Sequence, residues 1–377
     1  MIEIRDLCKS FKFQNVLNNI NLKINKGEIF VLVGASGCGK TTILKMINKL
    51  ETPTSGDILI NGESIYIKDT VKLRRGIGYV IQQTGLFPHM TVRENIELVS
   101  KLEGKSQDDL YNKTIELLNM VGLDPYEYMD RYPSELSGGQ QQRVGVARAF
   151  ALDADVILMD EPFSALDPIT RSELQDQLFF IQQELKKTII FVTHDMDEAI
   201  KLASRMCILK EGKILQIGTP YDILRNPQSS YVEDFVGQNR FWAEPELIKA
   251  RDIMITGVVK GSLNYTVLQA IDIMRGKKVD TLVITDKNST YIGMVTLKEL
   301  KGIFNKELFI KDIVIKDIEA IDSSEILTNI INKFNSNKIG CLPVIQDNKI
   351  QGLITKSTLL SVLANQLDEG GNLNELN

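Results

Sequence analysis

Residues 34–41 read Gly34-Ala35-Ser36-Gly37-Cys38-Gly39-Lys40-Thr41, which fits the G-x-x-x-x-G-K-[ST] pattern of a phosphate-binding loop. The chemistry needs these residue types. Gly34, Gly37 and Gly39 let the backbone turn tightly and aim its N–H groups at phosphate oxygens. Lys40 brings a cation to the outer phosphates and Thr41 offers a hydroxyl to Mg²⁺. Farther along, Asp160-Glu161 supplies two adjacent carboxylates: Asp160 to hold Mg²⁺ through water, Glu161 to orient and deprotonate an attacking water. A third string, Leu136-Ser137-Gly138-Gly139-Gln140, sets an N-capping serine ahead of a helical stretch whose free N–H groups form a second anion site. Two such sites in one chain are redundant unless the second serves another subunit's nucleotide.

These residues need a scaffold, and the flanking patterns supply one. The phosphate loop follows a strand-like run, Ile29-Phe30-Val31-Leu32-Val33. It precedes a helical pattern with Ile43, Leu44, Ile47 and Leu50 on one face. Val156-Ile157-Leu158-Met159 reads as a buried strand that delivers Asp160 and Glu161 to the carboxyl edge of a parallel sheet, beside the phosphate loop. The strand pattern over 188–193 ends at His194, and the string at 136–140 opens a helix over 141–152. Between Gln82 and the string at 136–140, Thr91-x-x-Glu94 forms a capping box, and a second helix over 106–121 stops at Gly122. Beyond residue 250 a repeat with a period of about 60 residues appears. Its copies pass through Val279–Ile284 to Gly293–Thr296, and through Ile339–Ile345 to Gly352–Thr355. Each is preceded by an amphipathic helix, with Val267, Ala270, Ile271 and Met274 in one and Ile326, Ile330, Ile331 and Phe334 in the other. Each is followed by another helical stretch, giving β-α-β-β-α.

Composition bounds the function. A chain of 377 residues accommodates two or three domains. No apolar run approaches the roughly 18–20 residues a membrane span requires. The start, Met1-Ile2-Glu3-Ile4-Arg5-Asp6, reads as a charged strand and not a secretion signal. A net charge of −5 argues against a nucleic-acid partner. Cys8, Cys38, Cys207 and Cys341 lack C-x-x-C spacing and read as reduced thiols, while His89 and His194 alone provide no zinc ligand set.

Residues 1–236 resemble the ATP-hydrolysing subunits of ABC systems along their whole length, and the repeat resembles tandem CBS modules, which usually pair into one disc. The resemblance implies an α/β fold: a P-loop ABC-type ATPase domain with a helical subdomain, followed by an α/β tandem CBS pair. The division expected is 1–236 for the ATPase, 237–249 for a linker, 250–308 and 309–366 for the CBS repeats, and 367–377 for a flexible tail. Several roles follow from it. Phe11 resembles the aromatic that stacks on adenine, with Phe13 as a rival. Gln82, with Gln83 beside it, resembles the glutamine that touches Mg²⁺ and relays its state to membrane subunits. His194 resembles the histidine at the γ-phosphate, and Ser164-Ala165-Leu166-Asp167 the loop that crosses between two ATPase subunits. The implied ATP-binding set is Phe11, Gly34, Ala35, Ser36, Gly37, Cys38, Gly39, Lys40, Thr41, Thr42, Ser137, Gly138, Gly139, Gln140 and Asp167. Thr41, Gln82 and Asp160 are the implied Mg²⁺ set, and Glu161, His194, Gln82 and Lys40 the catalytic one. Leu86-Phe87-Pro88-His89-Met90 falls where membrane subunits dock in that family, although simple subdomain packing would also explain an apolar loop.

The CBS pair, together with the stretches 80–91, 167–171 and 193–203, closely resembles the osmoprotectant importers, which take up glycine betaine, carnitine, choline or proline betaine. That family implies a homodimer of ATPase subunits, integral membrane permease subunits and an extracytoplasmic substrate-binding protein or domain. It also implies a peripheral position on the cytoplasmic face of the cell membrane. The alternatives are an importer of another small solute, or a soluble ABC ATPase of DNA repair or translation, which usually carries two cassettes, coiled coils or zinc modules. Adenine-nucleotide-binding CBS modules carry Gly-h-h-[ST]-x-x-Asp. Here the equivalents end in Glu299 and Thr358, and Thr358 removes the ribose-gripping carboxylate. Arg275, Lys277, Lys278, Lys298 and Lys301 cluster around the first repeat. With those cations the resemblance implies cyclic di-AMP in the cleft of a CBS dimer, against a plain dimerisation cap as the other reading.

Overall fold

The computed structural model describes all residues except 13, 83–84, 153, 165, 238–239, 314–318, 337–339 and 363–377, along with the side chains of 242–243 and 335–336. Its contacts divide the chain into Met1–Val236 and Gly237–Asn377.

The first unit runs β1 (Ile2–Phe11), β2 (Gln14–Ile24), β3 (Ile29–Gly34), α1 (Lys40–Ile47), β4 (Ser55–Ile60), β5 (Glu63–Ser64), α2 (Thr70–Arg75) and β6 (Ile77–Val80). It continues through α3 (Val92–Leu102), α4 (Gln107–Met120), α5 (Pro125–Tyr128), α6 (Gly138–Phe150), β7 (Val156–Asp160) and α7 (Pro168–Leu185). It ends with β8 (Thr188–Thr193), α8 (Met196–Leu202), β9 (Arg205–Lys210), β10 (Lys213–Gly218), α9 (Pro220–Arg225) and α10 (Ser230–Val236).

Every residue of β3, β7 and β8 is buried. Continuous apolar runs of this kind suit parallel strands covered on both faces. They lie in a six-stranded sheet of order β10-β9-β3-β8-β7-β6, in which only β10 is antiparallel to its neighbour. The carboxyl ends of β3, β8, β7 and β6 therefore stand side by side, and each leads into a segment singled out for its chemistry. A second, antiparallel sheet of order β2-β1-β4-β5 shares the core: Ile2, Ile4, Leu17 and Ile58 pack in one cluster with Phe30, Leu32, Leu158 and Val192.

Local signals explain the element ends. Thr91 and Glu94 form the expected capping box on α3, and α4 closes just before Gly122, whose φ of +69° suits glycine. Helix α6 begins at Gly138, immediately after its cap Ser137, three residues before the expected start at 141. Leu50 departs from expectation. Helix α1 ends at Ile47, Lys49 turns into the left-handed region at φ +50°, and Leu50 is left exposed.

The second unit contains α11 (Arg240–Ala243), α12 (Ala250–Ile253), β11 (Lys260–Gly261), α13 (Val267–Lys277), β12 (Thr281–Thr285), β13 (Tyr291–Thr296), α14 (Leu297–Gly302), β14 (Ile321–Asp322), α15 (Leu327–Ser336), β15 (Cys341–Gln346) and β16 (Lys349–Thr355). They form two three-stranded sheets of like order, β11-β12-β13 and β14-β15-β16, with a helical run over 356–362. Val267, Ala270, Ile271 and Met274 are buried on α13, and Leu327, Ile330 and Phe334 on α15, with Ile326 and Ile331 half-buried.

The repeats exchange their leading segments. Ala250 N–H donates to Glu325 and Arg251 N–H to Ser323, while Ile255 and Leu353 exchange both backbone bonds. Reciprocally, Ile310 N–H donates to Tyr265 and Lys311 N–H to Leu263. Each leading segment thus bonds to the opposite repeat, which nothing in the period alone reveals.

Candidate functional site

The phosphate loop leaves the end of β3 with Gly37 at φ +77° and Gly39 at φ +107°, both in the region glycine tolerates. A Cβ on Gly39 would lie 2.4 Å from Leu17 Cδ2, so a side chain there collides with β2. Gly39 also occupies the N-cap of α1 without a side-chain cap, which leaves the helix N–H groups free for an anion. The Lys40 ammonium is buried and donates to the Gly34 carbonyl at 2.6 Å and the Ala35 carbonyl at 3.0 Å. Its charge is thereby held over the loop. Cys38 is buried beneath the loop, Ala35, Ser36 and Gly37 are exposed on it, and Thr42 is half-buried in the first turn of α1.

Next to the loop, Thr41 Oγ1 donates to Asp160 Oδ1 at 2.9 Å. Burial raises the Asp160 carboxyl above its usual value and the Glu161 charge adds to this, while the Thr41 hydrogen bond opposes it. A hydroxyl and a carboxylate are hard oxygen donors that fit Mg²⁺, which typically takes one or two protein ligands and completes its shell with water and substrate phosphates.

Glu161 carries the strain. Its φ of +45° is unusual for a residue with a side chain and costs about 1–3 kcal/mol. Its surroundings hold it there: Glu161 N–H donates to the Val192 carbonyl at 3.0 Å, and Ser164 Oγ donates to the Glu161 carbonyl at 3.0 Å. The side chain ends between two partners. Gln82 Nε2 donates to Glu161 Oε2 at 3.0 Å, and His194 Nδ1 lies 3.3 Å from Oε1. Gln82 comes from the segment after β6, Glu161 from the end of β7 and His194 from the end of β8, so three neighbouring strand ends converge on one carboxylate. Gln83 lies outside the described residues.

Phe11 closes β1 opposite Gln14 and is exposed, with the Lys9 ammonium 4.4 Å above its ring. A solvent-facing aromatic of this kind can receive a base. Phe13 lies outside the described residues.

Ser137–Gln140 is organised differently. Ser137 Oγ accepts from Gln140 N–H at 3.3 Å, and Gln140 Oε1 accepts from Ser137 N–H at 2.9 Å, closing a capping box. Gln140 Nε2 also donates to the Tyr128 hydroxyl at 3.2 Å. Nothing lies within 4 Å of a Cβ placed on Gly138, so the start of α6 faces open space. A Cβ on Gly139 would meet Leu166 at 3.1 Å, which places the crossing-loop segment beneath it. Asp167 is exposed and caps α7, and its hydrogen bonds from Thr170 hold its carboxyl below the usual range. Ala165 lies outside the described residues.

The structure brings together Lys40 and its loop, Thr41 with Asp160, and Gln82 with Glu161 and His194. It puts Ser137–Gln140 with Leu166 in a separate group. Sequence reasoning missed the support for His194: Thr193 Oγ1 donates to buried Glu198 at 2.6 Å and accepts from Asp195 N–H at 3.0 Å. Asp195 caps α8. An N-capping Asp directly after His194 is the signal that could have found it.

Comparison with known proteins agrees with these features. A family model described as "ABC transporter" matches residues 17–164, and one described as "CBS domain" matches 250–305 and 310–365. The glycine betaine/carnitine/choline transport ATP-binding protein of Bacillus subtilis is 45% identical over 366 residues, covering 96% of each chain. The carnitine transport ATP-binding protein of Listeria monocytogenes is 44% identical, covering 96% of this chain and 92% of its own. The osmoprotectant import ATP-binding protein of Salmonella typhimurium is 38% identical, covering 97% and 96%. Among solved structures, a dimeric ATP-binding cassette in a post-hydrolysis state with ADP and Pi is 34% identical. It has a TM-score of 0.55 and covers 58% of this chain and 99% of its own.

Proposed function

The chain belongs to the ABC transporter family, among the ATP-binding subunits of osmoprotectant importers, and from that premise we propose that Glu161 activates the water that cleaves ATP in this subunit. The chain is an α/β transport ATPase with a P-loop cassette and tandem CBS domains, and it binds and hydrolyses ATP to power import. The solutes its relatives are named for, glycine betaine, carnitine, choline and proline betaine, define the substrate class assigned here.

One observation carries the mechanism: the Glu161 carboxylate is held between Gln82 and His194 beside the Thr41–Asp160 pair. The phosphates of ATP rest on the N–H groups of residues 34–42, with Lys40 exchanging its carbonyl partners for phosphate oxygens. Thr41, Asp160 and Gln82 are the residues that hold Mg²⁺, which when bound neutralises charge on the β- and γ-phosphates. Glu161 accepts a proton from water in line with the γ-phosphate, His194 contacts that phosphate, and Phe11 stacks on adenine. Because Ser137–Gln140 stands apart from the phosphate loop, its N–H groups serve the nucleotide of a second copy, with Asp167 crossing alongside; the solved cassette of 34% identity is a dimer.

The partners assigned are integral permease subunits, with an extracytoplasmic binding protein or domain acting through them, and no nucleic acid. The chain then sits peripherally on the cytoplasmic face of the membrane. The exposed loop with Phe87, whose N–H donates to Asn95 Oδ1 at 2.8 Å, is the docking element. None of the helices among the described residues is long and apolar enough to cross a membrane.

For the second unit the assigned ligand is cyclic di-AMP at a dimer of the repeats. A cleft of about 560 Å³ between the repeats is lined by Thr281, Thr296, Lys298, Lys301 and Thr355, which suit phosphates, and by Asp280, whose carboxylate offsets one of the two lysines. Calorimetry of the full-length chain with cyclic di-AMP, AMP and ATP, followed by uptake assays, tests this. Binding of cyclic di-AMP with lowered uptake supports it; no heat and unchanged uptake leave a dimerisation cap or an ionic-strength sensor. For the catalytic assignment, hydrolysis by Glu161→Gln in the assembled transporter is the test, and near-normal turnover rejects it.

A further inference from the structure

We propose that Arg171 is a positioning residue that ties the chain's two half-sites together, holding the loop that bears Leu166 and Asp167 at a fixed distance from the loop that bears His194. The proposal rests on the reading of those loops given above.

Arg171 lies in the first turn of α7 and reaches in two directions. One guanidinium nitrogen, Nη2, donates to the Leu166 carbonyl at 3.1 Å. The other, Nη1, lies 3.6 Å from Asp195 Oδ2. Both contacts land on loops that matter. Leu166 packs beneath Gly139, since a Cβ there would meet its Cδ2 at 3.1 Å, so the first contact supports the start of α6 and the crossing loop. Asp195 follows His194, and its other oxygen, Oδ1, accepts from the Asp197 N–H at 2.8 Å at the start of α8. The second contact therefore fixes the loop of the γ-phosphate histidine. Asp195 is anchored by one helix N-terminus and Arg171 by the other, whose cap is Asp167.

The planar guanidinium suits this task because it offers two donors at a set angle; a lysine could satisfy only one side at a time. In a dimer the two loops face different nucleotides, His194 its own chain's and Ser137–Gln140 its partner's. A rigid link between them makes closure at one nucleotide favour closure at the other. That is a coupling between sites, and its signature is cooperativity in ATP.

A second tie between the same helices provides the control. Lys201 on α8 pairs with Asp176 at 2.8 Å and donates to Ser172 Oγ at 3.1 Å, touching neither loop. If Arg171 merely glued α7 to α8, both ties would behave alike.

The test is ATP hydrolysis by the full-length chain in its assembled transporter, recorded as rate against ATP concentration, with nucleotide binding and thermal melting as controls. Arg171→Met is expected to lower kcat about 5- to 20-fold, the range for losing charged contacts that are partly solvent-exposed. Its Hill coefficient should fall toward one while ATP binding to the single chain is retained. Arg171→Lys should recover part of the rate. Asp195→Asn, which keeps an oxygen to cap α8 but removes the charge facing Arg171, should reproduce part of the loss, and Lys201→Met should behave as the parent. Normal cooperativity in Arg171→Met, or an equal loss in Lys201→Met, overturns the proposal. Should Arg171→Met fail to fold, Asp195→Asn decides the matter: unchanged cooperativity there overturns it. His194→Ala separates the two levels of inference. If it is as active as the parent, the reading of the His194 loop fails; if it is inactive while Arg171→Met is normal, only the coupling fails.

Discussion

The two regions of the cassette assigned above to phosphate are built on opposite principles. Around the phosphate loop, each ionisable group is held by polar partners: buried Lys40 on loop carbonyls, Asp160 on Thr41, and Glu161, strained at φ +45°, between Gln82 and His194. At 137–140 there is no charge. A serine caps a helix, Gly138 leaves its start open, Gly139 packs over Leu166, and Gln140 folds back to complete the box. The first region is preorganised for chemistry and pays for that in backbone strain. The second has its side chains tied up in the capping box and only backbone N–H groups to offer an anion brought to it. Under the proposed function the contrast explains why one chain would hold both: the charged half would contact the γ-phosphate from one side, and the uncharged half of another molecule could close over it without a second set of charges to desolvate.

Removing the base should sharpen the contrast most. Glu161→Gln is expected to slow hydrolysis about 10²- to 10⁴-fold while leaving ATP bound, because the amide keeps the shape but cannot accept the proton. Single-turnover hydrolysis and nucleotide retention measure the two effects separately. Phe11→Ala should come next, weakening ATP binding about 5- to 150-fold, and GTP binding as well, since a stacked ring reads any base. Equilibrium titration with both nucleotides checks it; an effect from Phe13→Ala alone would move the base to that residue. The smallest effect belongs to the uncharged half. Ser137→Ala removes a helix cap and should weaken nucleotide-dependent pairing of two chains by about 2- to 30-fold, with binding to the single chain unaffected. Analytical ultracentrifugation with and without ATP reads it, and a loss of single-chain affinity would erase the distinction between the halves.

How far the sequence revealed all this follows the same division. The strand ends that carry the candidate site were legible because β3, β7 and β8 are unbroken apolar runs, and a motif at the end of a buried strand has only one edge of the sheet on which to emerge. The serine cap was legible because capping is local. What escaped depended on partners distant in the chain. Arg171 reads as an ordinary helical cation until α8 brings Asp195 to it. Leu50 fits the helical period, but the chain turns at Lys49 before reaching it. In the second unit the period revealed two copies and their core faces. The backbone bonds that send 250–255 to the second repeat and 310–311 to the first carry no sequence signal, because main-chain groups are the same everywhere. Gly352 hints at it only in retrospect: a Cβ there would lie 2.7 Å from the Ile255 carbonyl.

The central claim, that each nucleotide is shared between the phosphate loop of one chain and residues 137–140 of another, is tested most directly by the mass in solution of the cassette alone, residues 1–236, a compact unit free of the repeats. Light scattering on Glu161→Gln with saturating ATP should show a dimer. The double variant Glu161→Gln/Ser137→Arg, whose long cation blocks the open start of α6, should remain monomeric while still binding one ATP per chain. A dimer that persists in the double variant, or a monomer that has lost its ATP, would contradict the account.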